Sequence, residues 1–169
     1  DEILRQIAHA REDAKVSVAL GELEVRRFKG EVYICRVHPD LDPKFCLSWQ
    51  GEKKLEISEL EGVMEFRRTR GKGMDYDKLM QEAVTIRVRH GGEKLRPDCK
   101  RPRRSLKDLL QESKIAPWER SRLPLLFSGE RLVFVPGIGI DCDYQARVGQ
   151  MGLSVQWRVN YTGSSKANP

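Results

Sequence analysis

The residues best suited to chemistry lie between Arg87 and Arg122, where twelve Lys and Arg stand against five acids. That surplus of seven exceeds the formal net charge of the whole chain, +6, so the remaining residues sum to about −1. Arginine carries a planar, permanently charged fork of N–H donors that bonds two phosphate oxygens or a guanine edge at once. Clustered at this density, such side chains point to an anionic partner and above all to a nucleic-acid backbone. The expected contact face comprises Arg87, Arg89, Lys94, Arg96, Arg101, Arg103, Arg104 and Lys107, with Arg120 and Arg122 at its margin. Arg26-Arg27-Phe28 is a smaller basic spot on a strand and reads as a solvated face.

Other constellations are poorer. Gly137-x-Gly139 lacks the third glycine and following helix of a dinucleotide fingerprint, and no G-x-x-x-x-G-K-[ST] loop occurs. Asp40-x-Asp42 and Asp141-x-Asp143 could seat a metal ion, but such pairs in loops more often accept backbone hydrogen bonds from their own turn. Cys35-x-x-His38 followed by Cys46 lacks the two paired ligand groups of a structural zinc site, so no metal is expected. His9, His38 and His90 lie near no hydrolase signature. Trp49, Trp118 and Trp157 sit within strands or beside a proline, positions of core tryptophans rather than of a stacking platform. No catalytic residue is expected.

The elements that must position the basic residues are short. Val84-x-Ile86-x-Val88 alternates as a strand and sends Arg87 and Arg89 to the opposite face. Ser105 caps a helix over residues 106–113 whose apolar stripe is Leu106, Leu109 and Leu110, and its free N–H groups should add to phosphate attraction. Pro117 should end that helix. A hairpin across Ser128-Gly129, a turn at Pro136-Gly137-Ile138-Gly139 and a strand over 153–159 follow, and the tail from Thr162 reads as frayed. Upstream, residues 3–11 show helical spacing, residues 16–37 alternate as antiparallel strands, His38–Pro43 is a loop, and short strands are expected at 45–49, 54–57 and 63–67. Arg70-Gly71-Lys72-Gly73 combines glycine with charge, so the domain boundary is placed at 75–83, between units 1–74 and 84–162. The expected fold is α+β, two small units of short antiparallel strands with one or two helices each.

Hydrophobic residues at 39% and charged residues at 33% exclude both wholesale disorder and a helical membrane protein. No apolar run approaches the roughly 20 residues of a membrane span, and the start, Asp1-Glu2-Ile3-Leu4-Arg5, is unlike a signal peptide and reads as mid-protein sequence. Cys35, Cys46, Cys99 and Cys142 lie far apart without a C-x-x-C pair, so no disulfide framework is expected and a cytoplasmic location fits.

Two stretches resemble a known family. His9-Ala10-Arg11-Glu12-Asp13-Ala14, Leu23-Glu24-Val25-Arg26-Arg27-Phe28 and Val32-Tyr33-Ile34 are similar to the middle domain of tRNA(Ile)-lysidine synthetases. Val84 through Leu95, Ser105 through Glu112, Pro117-Trp118-Glu119-Arg120 and Leu123 through Phe127 follow the family's C-terminal domain in order and spacing, although Ala116 and Glu119 depart from its usual proline and apolar residue. The resemblance implies a ligase acting in tRNA modification: ATP adenylates the wobble cytidine of a tRNA(Ile) with a CAU anticodon, and free lysine displaces AMP to leave lysidine. It implies ATP with Mg and lysine as ligands of an N-terminal PP-loop domain, whose S-G-G-x-D-S signature is absent here, and it allows for a homodimer of the parent protein. The chain itself should therefore be inactive, a C-terminal piece that grips the acceptor stem. The rival readings are a protein-interaction or generic RNA-binding module, and a metal-dependent hydrolase using the D-x-D pairs.

Overall fold

A computed structural model of the chain describes residues 17–20, 22–160 and 165–166. The chain divides into two compact units, Asp1–Asp40 with Tyr161–Pro169, and Leu41–Asn160. In the first, β1 (Ser17–Leu20), β2 (Leu23–Phe28) and β3 (Glu31–Arg36) form an antiparallel meander. Lys29 and Gly30 both adopt positive φ, the two-residue turn whose twist matches the strands it joins. The helix expected over 3–11 lies outside the described residues.

The second unit is built in layers. Its five-stranded sheet combines β4 (Cys46–Ser48), β8 (Val84–Arg87), β11 (Leu125–Ser128), β12 (Arg131–Val135) and β13 (Gly139–Ile140) in the order β13-β12-β11-β8-β4. A four-stranded sheet combines β5 (Lys54–Ile57), β6 (Gly62–Arg70), β7 (Met74–Asp75) and β14 (Met151–Val159) in the order β5-β6-β14-β7. One core, with Ile57, Met64, Phe66, Ile86, Leu126, Val133 and Leu153, joins the two sheets. A second core, with Leu95, Leu106, Leu110, Leu125, Phe127 and Leu132, lies under the helix α2 (Leu106–Glu112). Strand β11 is thus covered on both faces, which explains why Leu123-Pro124-Leu125-Leu126-Phe127 is apolar without alternation. A short ladder of β9 (Lys94–Leu95) with β10 (Arg104–Ser105) leads into α2.

The boundary expected at 75–83 does not separate these units. Strand β4 pairs with β8 from Cys46↔Arg87 to Ser48↔Thr85, and β6 pairs with β14 over nine positions, so residues 41–74 belong with 84–160. Within 75–83 the Asp75 carboxylate accepts from the Lys78 N–H and starts α1 (Tyr76–Leu79). The glycines of Arg70-Gly71-Lys72-Gly73 serve a close crossing rather than a linker. A Cβ on Gly73, at φ +81°, would stand 2.5 Å from the Leu153 carbonyl oxygen, and one on Gly152 1.9 Å from that of Lys72. Pro117 begins a helical turn, α3 (Pro117–Arg120), instead of only ending α2, because its missing N–H costs nothing at a first helical position. In the tail expected to fray, β15 (Ser165–Lys166) pairs with β3.

The structure also joins Cys99 to Cys142, against the expectation of no disulfide. Spacing along the chain reveals only local pairs, and this one closes across a sequence separation of 43. Trp49 stacks on Phe66 with centroids 4.7 Å apart and is buried, as a core tryptophan should be.

Candidate nucleic-acid interface

The basic residues are assembled by β8, the β9–β10 ladder, the loop between them and α2. Ile86 and Val88 are buried while Arg87 and Arg89 reach the other face, as the alternation requires. Lys94 opposes Ser105 and Leu95 opposes Arg104 in the β9–β10 ladder, which brings the two halves of the basic run side by side. Lys94, Arg103 and Arg131 line one open depression of about 420 Å3 together with Glu93, Glu130, Phe127 and Leu132.

Acids from outside the basic run hold three of its arginines, Arg87, Arg96 and Arg103. Arg103 donates to Asp141 at 2.5 and 3.2 Å and to Asp143 at 3.1 Å. Arg96 donates to Asp143 at 2.6 Å, and Arg131 also pairs with Asp143. Three guanidinium groups thus share two carboxylates. Asp141 is fully buried and further accepts the N–H groups of Arg96 and Asp143, both at 3.1 Å. The D-x-D pair is therefore turn chemistry plus a salt-bridge hub, and among the described residues no three His, Cys, Asp or Glu side chains gather to hold a metal. At Asp40-x-Asp42, Asp42 accepts from the Lys44 N–H at 2.8 Å, the turn bond expected there.

Elsewhere Arg87 bonds both Glu130 oxygens at 3.0 Å and lies over the Phe127 ring, 4.7 Å from its centroid. Arg104 bonds both oxygens of Glu112 at 2.8 and 2.6 Å. Arg89 reaches Glu93 at 4.0 Å, and Arg101, largely exposed, reaches Asp98 at 3.5 Å. Arg120 donates to the Ile115 carbonyl and Arg122 to that of Glu59, which turns both toward the body of the unit. Lys94 and Lys107 are exposed without an acid partner among the described residues.

These pairings move the proton equilibria. The hydrogen bond to Asp141, opposed by desolvation and reinforced by the charges of Asp141 and Asp143, raises Arg103 above its ordinary value. Burial pushes Asp143 upward, but the Arg96 hydrogen bond and the charges of Arg96, Arg131 and Arg103 outweigh it and hold the carboxyl below the ordinary range. Glu112 and Glu130 are lowered by hydrogen bonds from Arg104 and Arg87.

Two expectations change. The start of α2 is not an open phosphate cradle, because the Leu106 N–H donates to the Glu93 carbonyl at 2.8 Å and the Asp108 N–H to the Ser105 hydroxyl at 3.1 Å. Six arginines of the expected face, Arg87, Arg89, Arg96, Arg101, Arg103 and Arg104, are paired with carboxylates, so the face is less positive than its count of cations implies. A carboxylate engages only part of a five-donor guanidinium, so pairing fixes the side chain while leaving donors directed outward. Arg131 lies beyond the basic run that charge density marks out, at the exposed start of β12, and no local sequence signal points to it.

Residues 84–157 match the family described as TilS substrate C-terminal domain, and residues 1–33 match the TilS substrate binding domain. The tRNA(Ile)-lysidine synthase of Nitrosomonas europaea is 45% identical over 157 residues, 93% of this chain and 34% of that protein. The tRNA(Ile)-lysidine synthase of Ralstonia nicotianae is 34% identical over 152 residues, 83% of this chain and 32% of that protein. The chain spans about a third of the length of the curated relatives it matches. The crystal structure of a TilS C-terminal domain aligns with a TM-score of 0.50 at 16% identity, covering 61% of this chain and 88% of that one, a likeness of fold alone.

Proposed function

We propose, from the premise that this chain belongs to the tRNA(Ile)-lysidine synthase family as part of its C-terminal region, that it grips the substrate tRNA for a ligation carried out elsewhere in the whole enzyme. The observation that carries the reading is the convergence of Lys94, Arg103 and Arg131 on one depression, beside the exposed Lys100, Arg101 and Lys107. An A-form stem offers phosphates and 2′-hydroxyls along a curved surface, and guanidinium groups held in place by Asp141 and Asp143 meet it with little side-chain entropy left to lose. The exposed lysines supply counterion release, and the fixed arginines supply directed donors.

In this reading the partner is tRNA(Ile) with a CAU anticodon, the whole enzyme works as a homodimer in the cytoplasm, and ATP with Mg and lysine serve its ligase chemistry. The chain contains no S-G-G-x-D-S string, and this reading assigns it no chemical step. Its part is to hold and orient RNA.

Titration of an acceptor-stem duplex across a salt series tests the reading. Affinity should fall steeply with salt, and changing Lys94, Arg101 and Lys107 together to alanine should reduce the log–log slope by up to about three, at about 0.9 for each phosphate no longer neutralised. A shallow slope in the parent chain, or a slope untouched by the triple change, would overturn it and favour an acidic protein as the partner of this face.

A further inference from the structure

A second group of cations without acidic partners among the described residues stands on the second unit. Arg67, Arg68 and Arg70 end β6, Lys72 follows in the crossing loop, and Arg147 stands in the loop that leads to β14. All five are exposed. Among the described residues none has an acidic partner, whereas the arginines of the Asp141 hub do. Of the acids on the neighbouring elements, Glu65 pairs with Arg158 and Asp75 caps α1.

Topology brings Arg68, Arg70, Lys72 and Arg147 together, while alternation sends Arg67 to the other face of β6. Strand β14 lies between β6 and β7, so Gly71-Lys72-Gly73 must pass over its end. The Gly71 N–H donates to the Gln150 carbonyl at 2.8 Å, the Ala146 N–H to that of Gly73 at 2.9 Å, and Arg70 Nε to that of Gly149 at 3.3 Å. The Arg147 N–H is held by the Gln150 side chain at 2.7 Å. Two loops that are distant in sequence are thereby stitched into one rigid rim. Arg68 and Arg70 leave the same face of β6, about 7 Å apart along the strand. Arg68 stands over Tyr76, its guanidinium carbon 3.5 Å from the ring centroid, a cation–π contact that restrains the side chain.

The same rim exposes apolar groups that no core explains. Val148 is 98% exposed and Met151 48%, and they sit beside Arg147 and opposite Arg70 in the ladder. One exposed apolar side chain is ordinary. Two of them set among permanent cations on a rigid rim suit a ligand that alternates charge with apolar surface, as phosphates alternate with riboses and base faces along RNA.

We infer that the β6–β14 rim, through Arg68, Arg70, Lys72 and Arg147 with Val148 and Met151, is a second RNA-binding surface, distinct from the depression at Lys94, Arg103 and Arg131. The inference deepens the tRNA-gripping reading and rests on it. One chain then holds two separated runs of phosphate, so a folded RNA is oriented rather than merely retained.

The test compares two triple variants with the parent chain, using a tRNA transcript as probe over a salt series. Changing Arg70, Lys72 and Arg147 to alanine leaves the core untouched, and an unchanged melting midpoint checks that the fold survives. This variant should lose about ten-fold in affinity at moderate salt and two to three units of salt slope. Combining it with the Lys94, Arg101 and Lys107 changes should multiply the two losses. Full affinity and slope in the rim variant, with loss in the Lys94, Arg101 and Lys107 variant, would overturn the rim and leave the first face standing. Binding by the parent chain that ignores salt would overturn both.

Discussion

Arg103 places Nη1 2.5 Å from Oδ2 of Asp141, a carboxylate wholly shut off from water. The pair lets a buried charge exist under a basic surface, so Arg103 is part of the fold before it is part of any contact. Changing it to methionine leaves Asp141 with two backbone N–H groups and Arg131 at 3.7 Å. Breaking a buried pair from one side costs about 3–5 kcal/mol, and the remaining partners should hold the loss near the lower end. Urea denaturation measures it. The Arg104→Met variant, whose partner Glu112 is solvent-exposed, should melt with the parent chain. Equal midpoints for the two variants would refute the hub.

Acid should release the same network. Asp143, Glu112 and Glu130 have folded-state pKa values below the ordinary range, so the unfolded chain takes up their protons first as pH drops. Their contribution is fully present above the unfolded values, roughly pH 4, and is lost as pH falls through the lower folded ones. The Asp143→Asn variant should therefore be less stable than the parent at pH 7 and approach it near pH 2. Stability curves that stay parallel down to pH 2 would show that folding does not shift the Asp143 pKa and that its ion pairs add no stability.

The reach of the sequence follows from which interactions are local. The Ser105 cap, the hairpin across Ser128-Gly129 and the alternation of Val84, Ile86 and Val88 depend on neighbours two to four residues apart, and all three are legible. The pairing of β4 with β8 and of β6 with β14 depends on partners far along the chain, and there a glycine-rich crossing loop has the composition of a linker. The basic face shows the same division. Charge density in Arg87–Arg122 can be counted, but Asp141 and Asp143, which hold Arg96 and Arg103, come from beyond it and appear only once the sheets bring them close. The β6–β14 rim stays hidden in the sequence for the same reason, since Arg70-Gly71-Lys72-Gly73 resembles a domain boundary until Arg147 and Gln150 are brought against it.

The Cys99–Cys142 bond ties the loop that bears Lys100 and Arg101 to the turn between Asp141 and Asp143, with Cα atoms 5.2 Å apart. A closure of this length restrains the unfolded chain by about 4 kcal/mol in the chain-entropy account, with typical measured values of 2–4. Dithiothreitol should lower the denaturation midpoint of the parent chain by a corresponding amount. The double variant Cys99→Ser, Cys142→Ser should sit at the reduced midpoint and ignore the reductant. Coincident midpoints for the parent chain with and without dithiothreitol would show that the bond adds nothing to stability.

Glu119 presents the opposite electrostatic case. It lies in α3, half-buried, with no basic partner among the described residues, and burial raises its pKa against the small lowering from the Ala116 backbone hydrogen bond. Its raised pKa means the folded chain holds this proton more tightly than the unfolded one, so the site costs stability once pH rises above roughly 4. Glu119→Gln keeps the shape and removes the charge. It should stabilise the chain at pH 7 by about 0.5–1 kcal/mol, a modest gain because the carboxylate is still partly solvated. Near pH 3, where the parent carboxyl is protonated in both states, the two proteins should melt together. A gain of the same size at pH 3 and pH 7 would trace the effect to packing and remove the ionised carboxylate as its cause.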